Sequence, residues 1–187
     1  MMKKVIYIEG TTDKDNGDLR KAFNLLLIKE LGKSMPRIVM GDGKTQTIDK
    51  FQTRPLEQNE SRFLLIDSDK PISDKQAELD YFNAKRPDNQ RKVDATTSNT
   101  FFMIQEAETW IMSQPNILHS RKVNTSFLPK GNMMKVDNPS DVLAEVYRKS
   151  GKEYHKVKEF VKLFPLLNTA ILKQQFPEFQ LLVDALK

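Results

Sequence analysis

The stretch Phe63-Leu64-Leu65-Ile66-Asp67-Ser68-Asp69 constrains this chain most. Four consecutive apolar residues run into two carboxylates spaced i, i+2. A short apolar run with polar ends predicts a strand buried on both faces, as in a parallel sheet. In open α/β sheets ligands gather outside the carboxyl ends of the strands. Two acids at such an end form an oxygen-rich corner suited to Mg²⁺, which binds few protein carboxylates and keeps several waters. The plainer alternative is that Asp67 and Asp69 cap the turn or helix that follows.

A second acid occupies a matching place. Lys4-Val5-Ile6-Tyr7-Ile8 is another buried-strand run, and it ends in Glu9-Gly10. Parallel neighbours bring Glu9 to the same sheet edge as Asp67 and Asp69. Three carboxylates on one edge repel unless a cation or a shared proton compensates. Glu9 also reads as a solvated strand end. A third junction is Phe101-Phe102-Met103-Ile104-Gln105-Glu106-Ala107-Glu108-Thr109-Trp110, predicted as a strand over 100–104 and a helix from about Gln105. There Glu108 is the stronger site candidate and Glu106 the weaker. Both also fit as acids favoured at a helix start. Trp110 and Ile111 read as core.

In this order, a strand closing in Glu-Gly, a strand closing in Asp-x-Asp and a Glu-x-Glu-x-Trp junction resemble the TOPRIM superfamily. Within it, the last motif and Gly151-Lys152-Glu153-Tyr154-His155-Lys156 are similar to a small uncharacterised bacterial family of stand-alone TOPRIM-like proteins, related to the nuclease domains of overcoming-lysogenization-defect (OLD) proteins. The resemblance implies an α/β fold of the TOPRIM, Rossmann-like kind: a largely parallel sheet flanked by helices, with a C-terminal helical extension. It implies Mg²⁺, with Mn²⁺ as a substitute, held by Asp67 and Asp69. Glu108 and Glu106 would serve a second metal position, and Glu9 would be a general acid/base or further ligand. Lys152, Tyr154 and Lys156 are the expected nucleic-acid contacts, although surface or packing roles suit them too.

The implied function is metal-dependent phosphoryl transfer on DNA or RNA, a nuclease of a phage-defence or repair system. A different class is a non-catalytic metal-binding or regulatory module working with a separate AAA- or ABC-type ATPase. A receiver-like phosphoacceptor domain also places acids at strand ends, but normally stops after its last sheet helix. Topoisomerase chemistry lacks an identifiable tyrosine nucleophile and the clamp domains.

Composition narrows the classes. The chain has 187 residues, no cysteine and two histidines, which leaves no thiolate metal site and no histidine-rich zinc centre. No stretch is apolar for the length of a membrane span, and the start is not a signal peptide, so a cytoplasmic protein without membrane contact is expected. The formal charge is +5, and all of the excess lies from Asn116 onward. That basic part could meet phosphates or be an ordinary solvated face.

The expected organisation is an α/β core over 1–115 and a linker plus helical extension over 116–187. Core helices are predicted at about 19–31, with Asp18 as N-cap, then 45–54 and 74–85. Gly41-Asp42-Gly43-Lys44 closes a short strand, and its two glycines make the turn or let the backbone approach a ligand, the turn being the plainer reading. Residues 86–92 read as an exposed charged loop. Residues 117–136 read as a linker or lid. Helices follow at about 140–150, 154–164, 167–175 and 177–186.

Overall fold

The computed structural model describes residues 3–11, 16–55, 57–85 and 93–187. Four strands form one all-parallel sheet in the order β2-β1-β3-β4: β1 (Lys3–Ile8), β2 (Arg37–Met40), β3 (Glu60–Asp67) and β4 (Thr100–Met103). Tyr7 lies opposite Val39 of β2 and Leu64 of β3, and Asp67 lies opposite Met103. The fold is therefore α/β and Rossmann-like, as expected. The chain steps outward from β1 to β2, then returns past β1 to β3 and β4. The order reverses between β1 and β3, so a topological switch point lies between their carboxyl ends.

Strand alternation divides the core. Ile6, Ile8, Phe63, Leu65, Phe101 and Met103 face one layer, with Leu19, Phe23, Leu26 and Leu27 of α1 (Asn16–Leu31). Val5, Tyr7, Leu64, Ile66 and Phe102 face the other layer. There they meet Ile48 and Phe51 of α2 (Lys44–Thr53) and Leu79 and Phe82 of α3 (Lys75–Ala84). Both faces are covered, which is why these strands read as continuous apolar runs.

The first layer also takes α4 (Glu108–Met112), α5 (Pro115–His119), α6 (Pro139–Lys149), α7 (Lys156–Leu163), α8 (Thr169–Gln175) and α9 (Pro177–Leu186). Trp110 packs edge-on against Phe179 at 5.2 Å, and Phe160 stacks on Phe164 at 4.5 Å. The Glu178 carboxylate accepts the Phe102 N–H at 3.1 Å and the Lys75 ammonium at 2.9 Å, which ties α9 to the edge strand β4 and to α3. Residues 117–136 bury Ile117, Leu118, Val123 and Leu128 in this same core.

Several boundaries differ from expectation. α1 begins at Asn16, so Asp18 lies in its first turn and is not its N-cap. The Asn16 amide instead bridges Thr11, Gly41 and Asp42, a tertiary contact that local pattern could not reveal. The helix expected from Gln105 starts at Glu108, because Gln105 adopts φ 64° and breaks the chain direction. Tyr154 lies before α7 rather than inside it. The expected loop at 86–92 falls outside the described residues.

Buried Arg62 closes the C-terminal end of α2. Its Nε donates to Glu60 Oε1 at 2.8 Å, and its guanidinium nitrogens donate to the carbonyls of Phe51, Arg54 and Pro55. Those carbonyls have no helical partner of their own. We predict that Arg62→Met lowers stability by about 3 kcal/mol in urea unfolding, because it leaves the helix-end carbonyls unpaired and Glu60 with only its longer Arg37 contact of 3.6 Å. A loss below about 1 kcal/mol would mean water replaces the guanidinium.

Candidate functional site

The site is built on the carboxyl ends of β1, β3 and β4. Asp67 is the last residue of β3, and Glu9 follows the last residue of β1. The Asp67 N–H donates to Glu9 Oε2 at 3.0 Å, so the two acids meet across the switch point. Gly10 lets the ends of β1 and β2 and the start of α1 pack closely beside this pair. A Cβ there would lie 2.5 Å from the Gly41 carbonyl and 2.2 Å from Asn16 Oδ1, which explains the Glu-Gly pair.

After β4 the chain folds back through a strained junction. Gln105 and Asp69, neither a glycine, have φ of 64° and 60°. The Asp69 N–H donates to the Gln105 carbonyl at 2.8 Å, and the Gln105 N–H donates to Ser68 Oγ at 2.7 Å. Such conformations cost of order 1 kcal/mol or more each and persist where surrounding bonds impose them. The junction delivers the Ala107 N–H to Asp67 Oδ1 at 3.0 Å and places Glu108 at the head of α4.

Glu108 is fully buried. Its Oε1 accepts the Tyr154 hydroxyl at 3.1 Å and lies 3.2 Å from the Lys156 ammonium, while its Oε2 has no hydrogen-bond partner. The same ammonium lies 3.8 Å from Asp67 Oδ2. Glu106 turns toward α6, where its Oε2 accepts the Ser140 N–H at 2.7 Å.

Burial dominates the electrostatics. It pushes the Asp67 carboxyl well above the ordinary carboxylate range, with Lys156 opposing and Glu9, Glu108 and Glu106 reinforcing. Burial likewise raises Glu9 to about 7, against the Asp67 backbone hydrogen bond and the Lys44 charge. Glu106 is raised by burial and by Glu108. For Lys156, burial would lower the pKa, but Glu108, Asp67 and Glu106 together raise it. The ammonium is the corner's resident cation. Tyr154, raised by burial and by Glu108, stays a hydroxyl donor.

The expected residues are thus partly brought together. Glu9, Asp67, Glu108, Tyr154 and Lys156 are linked, directly or through Asp67, and Glu106 lies close enough to influence Asp67 and Lys156. Asp69 stays outside the buried group, where its exposed carboxylate pairs with Lys44 at 2.7 Å, and its charge still raises Glu9 and Glu106. Lys152 lines a cavity of about 410 Å³ with Arg121, Lys122 and Glu159. Of the basic residues from Arg121 to Lys162, Lys156 reaches the corner, while Arg121 pairs with Glu159, and Arg148 and Lys149 pair with Glu145. Sequence reading missed Lys44 and Ser68. Lys44 follows the Gly41-Asp42-Gly43 turn, the one local signal that could have marked it.

Among the described residues, no three or more His, Asp or Glu side chains are arranged to hold a metal ion. The donors suit a hard divalent cation in kind: all are carboxylate oxygens, and Glu108 Oε2 is buried without a partner. Their present spacing does not, because Lys156 stands between Asp67 and Glu108, and Lys44 holds Asp69.

A protein-family model described as "Domain of unknown function (DUF4276)" matches residues 8–187. No curated protein and no solved structure matches the chain.

The shifted carboxyls set a pH dependence. Between pH 4.5 and 7 native Glu9 keeps a proton that the unfolded chain has released, so stability falls as pH rises through this window, by on the order of 2–3 kcal/mol. Thermal unfolding without divalent metal, from pH 4.5 to 8, measures it, and a rising Tm would contradict the assignment. Lys156→Met should steepen the fall, costing about 3 kcal/mol or more at pH 8 and less at pH 5, where the orphaned acids can protonate.

Proposed function

This chain belongs to the DUF4276 family, and we propose that its carboxylate–lysine corner performs divalent-metal-dependent phosphoryl transfer on nucleic acid, as strand cleavage. The observation that supports this most is the meeting of Glu9 with Asp67, and of Asp67 and Glu108 with Lys156, at the switch point. Structural ion pairs seldom draw acids from two strand ends and a helix start beside two left-handed non-glycine residues. The likeness of the Glu-Gly, Asp-x-Asp and Glu-x-Glu-x-Trp motifs to TOPRIM proteins points the same way.

Asp67 and Glu108 are the residues that would hold Mg²⁺ or Mn²⁺, with Asp69 and Glu106 at the margin. A bound divalent ion would supply charge stabilisation to the reacting phosphate and lower the pKa of its water. Glu9, raised to about 7, can give or take a proton near neutral pH, the property required of a general acid/base. Lys156 fits an electrostatic role toward the phosphate once it leaves the carboxylates. Tyr154 orients Glu108 through its hydroxyl.

A second reading is a regulatory module for a separate ATPase. It is favoured by the same ammonium, which already neutralises the acids and lets the corner stand as a lock without metal.

Asp67→Asn separates the two. Removing the charge should reduce Mg²⁺- or Mn²⁺-dependent cleavage of labelled DNA or RNA by at least about a hundredfold, while the metal-free Tm is equal or higher because clustered acids no longer repel. Metal binding by calorimetry should weaken in parallel. Wild-type protein that cleaves no nucleic acid with either metal would leave the partner-module reading.

A further inference from the structure

A second cavity, of about 510 Å³, opens beside the corner between α2 and α3. Ser68 and Asp69 form one wall. Asp69 is two residues from Asp67, so this wall lies within about 7 Å of chain from the buried acid. Ile48 and Phe82, both nearly buried, contribute apolar surface, and Tyr81 stands at the side with 55% of its surface exposed. The Tyr81 ring meets Phe82 at 6.4 Å between centroids and the Lys85 ammonium, and leaves the rest of its surface to solvent.

Three ammonium groups border this apolar surface. Lys44 pairs with Asp69 at 2.7 Å, Lys70 pairs with Glu78 at 2.6 Å, and Lys85 stands 4.1 Å from the centroid of the Tyr81 ring. The Asp69 and Lys70 side chains are each more than 60% exposed. Solvated pairs of this kind are weak, and a phosphate can take over the lysine. The Lys85 ammonium lies over a ring whose face equally suits a flat aromatic ligand.

We propose that this cavity holds one unpaired nucleotide of a single strand, its base against Tyr81 and its phosphate at Lys44 or Lys70. An apolar, aromatic-walled cavity ringed by lysines fits a ligand that is flat at one end and anionic at the other. Base–aromatic stacking combined with a cationic path is how single strands are bound without sequence readout. A base inside a duplex has both faces covered by its stacked neighbours and cannot make this contact. Continuity with Asp69 places the nucleotide next to the phosphate at the corner. The inference rests on the phosphoryl-transfer reading for its setting, but its test does not use cleavage.

The probe is a six-nucleotide DNA strand carrying one 2-aminopurine, titrated with the full chain in EDTA at low salt. The wild type should quench the fluorescence and bind the strand more tightly than it binds a blunt duplex or AMP. Tyr81→Ala should abolish the quench and weaken binding by on the order of tenfold, while Tyr81→Phe keeps both. Because Tyr81 is mostly exposed, both variants should keep the wild-type Tm. Unchanged quenching in Tyr81→Ala, no quenching by the wild type, or equal affinity for AMP would each overturn the proposal. Tyr81-dependent quenching without any metal-dependent cleavage would uphold the cavity and refute the phosphoryl-transfer reading. Cleavage with Tyr81-independent binding would do the reverse.

Discussion

The pairing of β1 with β3 is the contact on which the rest of this structure depends. Lys3 through Ile8 align with Glu60 through Leu65 in one parallel ladder, the central pair of the sheet. Their side chains serve both layers, so neither strand can shift by one residue without turning its apolar residues to the wrong layer. That register makes Glu9 and Asp67 neighbours. The acids meet because the hydrophobic core demands it, and their repulsion is an imposed cost.

The C-terminal half answers that cost. α7 brings Lys156 to the buried acids, and the segment before it brings Tyr154 to Glu108. These helices share one core with α1 and the sheet, through Trp110, Phe160, Phe164 and Phe179. The chain therefore behaves as a sheet whose charged edge is completed by its own later helices. A lysine is the resident cation of these carboxylates.

The strained junction at Ser68, Asp69 and Gln105 links the corner to the neighbouring cavity. Asp69, left-handed in its backbone, has an exposed carboxylate that pairs with Lys44. One acid of the Asp-x-Asp pair thus belongs to the buried corner and the other to an exposed wall. The i, i+2 spacing would put both on one face only if the strand continued, and β3 ends at Asp67.

Much was legible in the sequence for a physical reason. Doubly buried parallel strands must be apolar runs, so β1, β3 and β4 and the acids at their ends could be read from composition along the chain. Helices stopped by proline or begun by it were equally local, and α9 runs over the expected residues. Positions set by partners distant in sequence were not legible. Asn16 begins α1 through bonds to Thr11, Gly41 and Asp42, Arg62 caps α2 through buried carbonyls, and Gln105 turns left-handed to meet Ser68 and Asp69. Residue type placed Lys156, Lys44 and Lys152 in one class. Tertiary structure alone decided that Lys156 enters the buried corner, Lys44 holds the exposed acid and Lys152 lines another cavity, because a lysine's partner is set by packing that brings remote segments together.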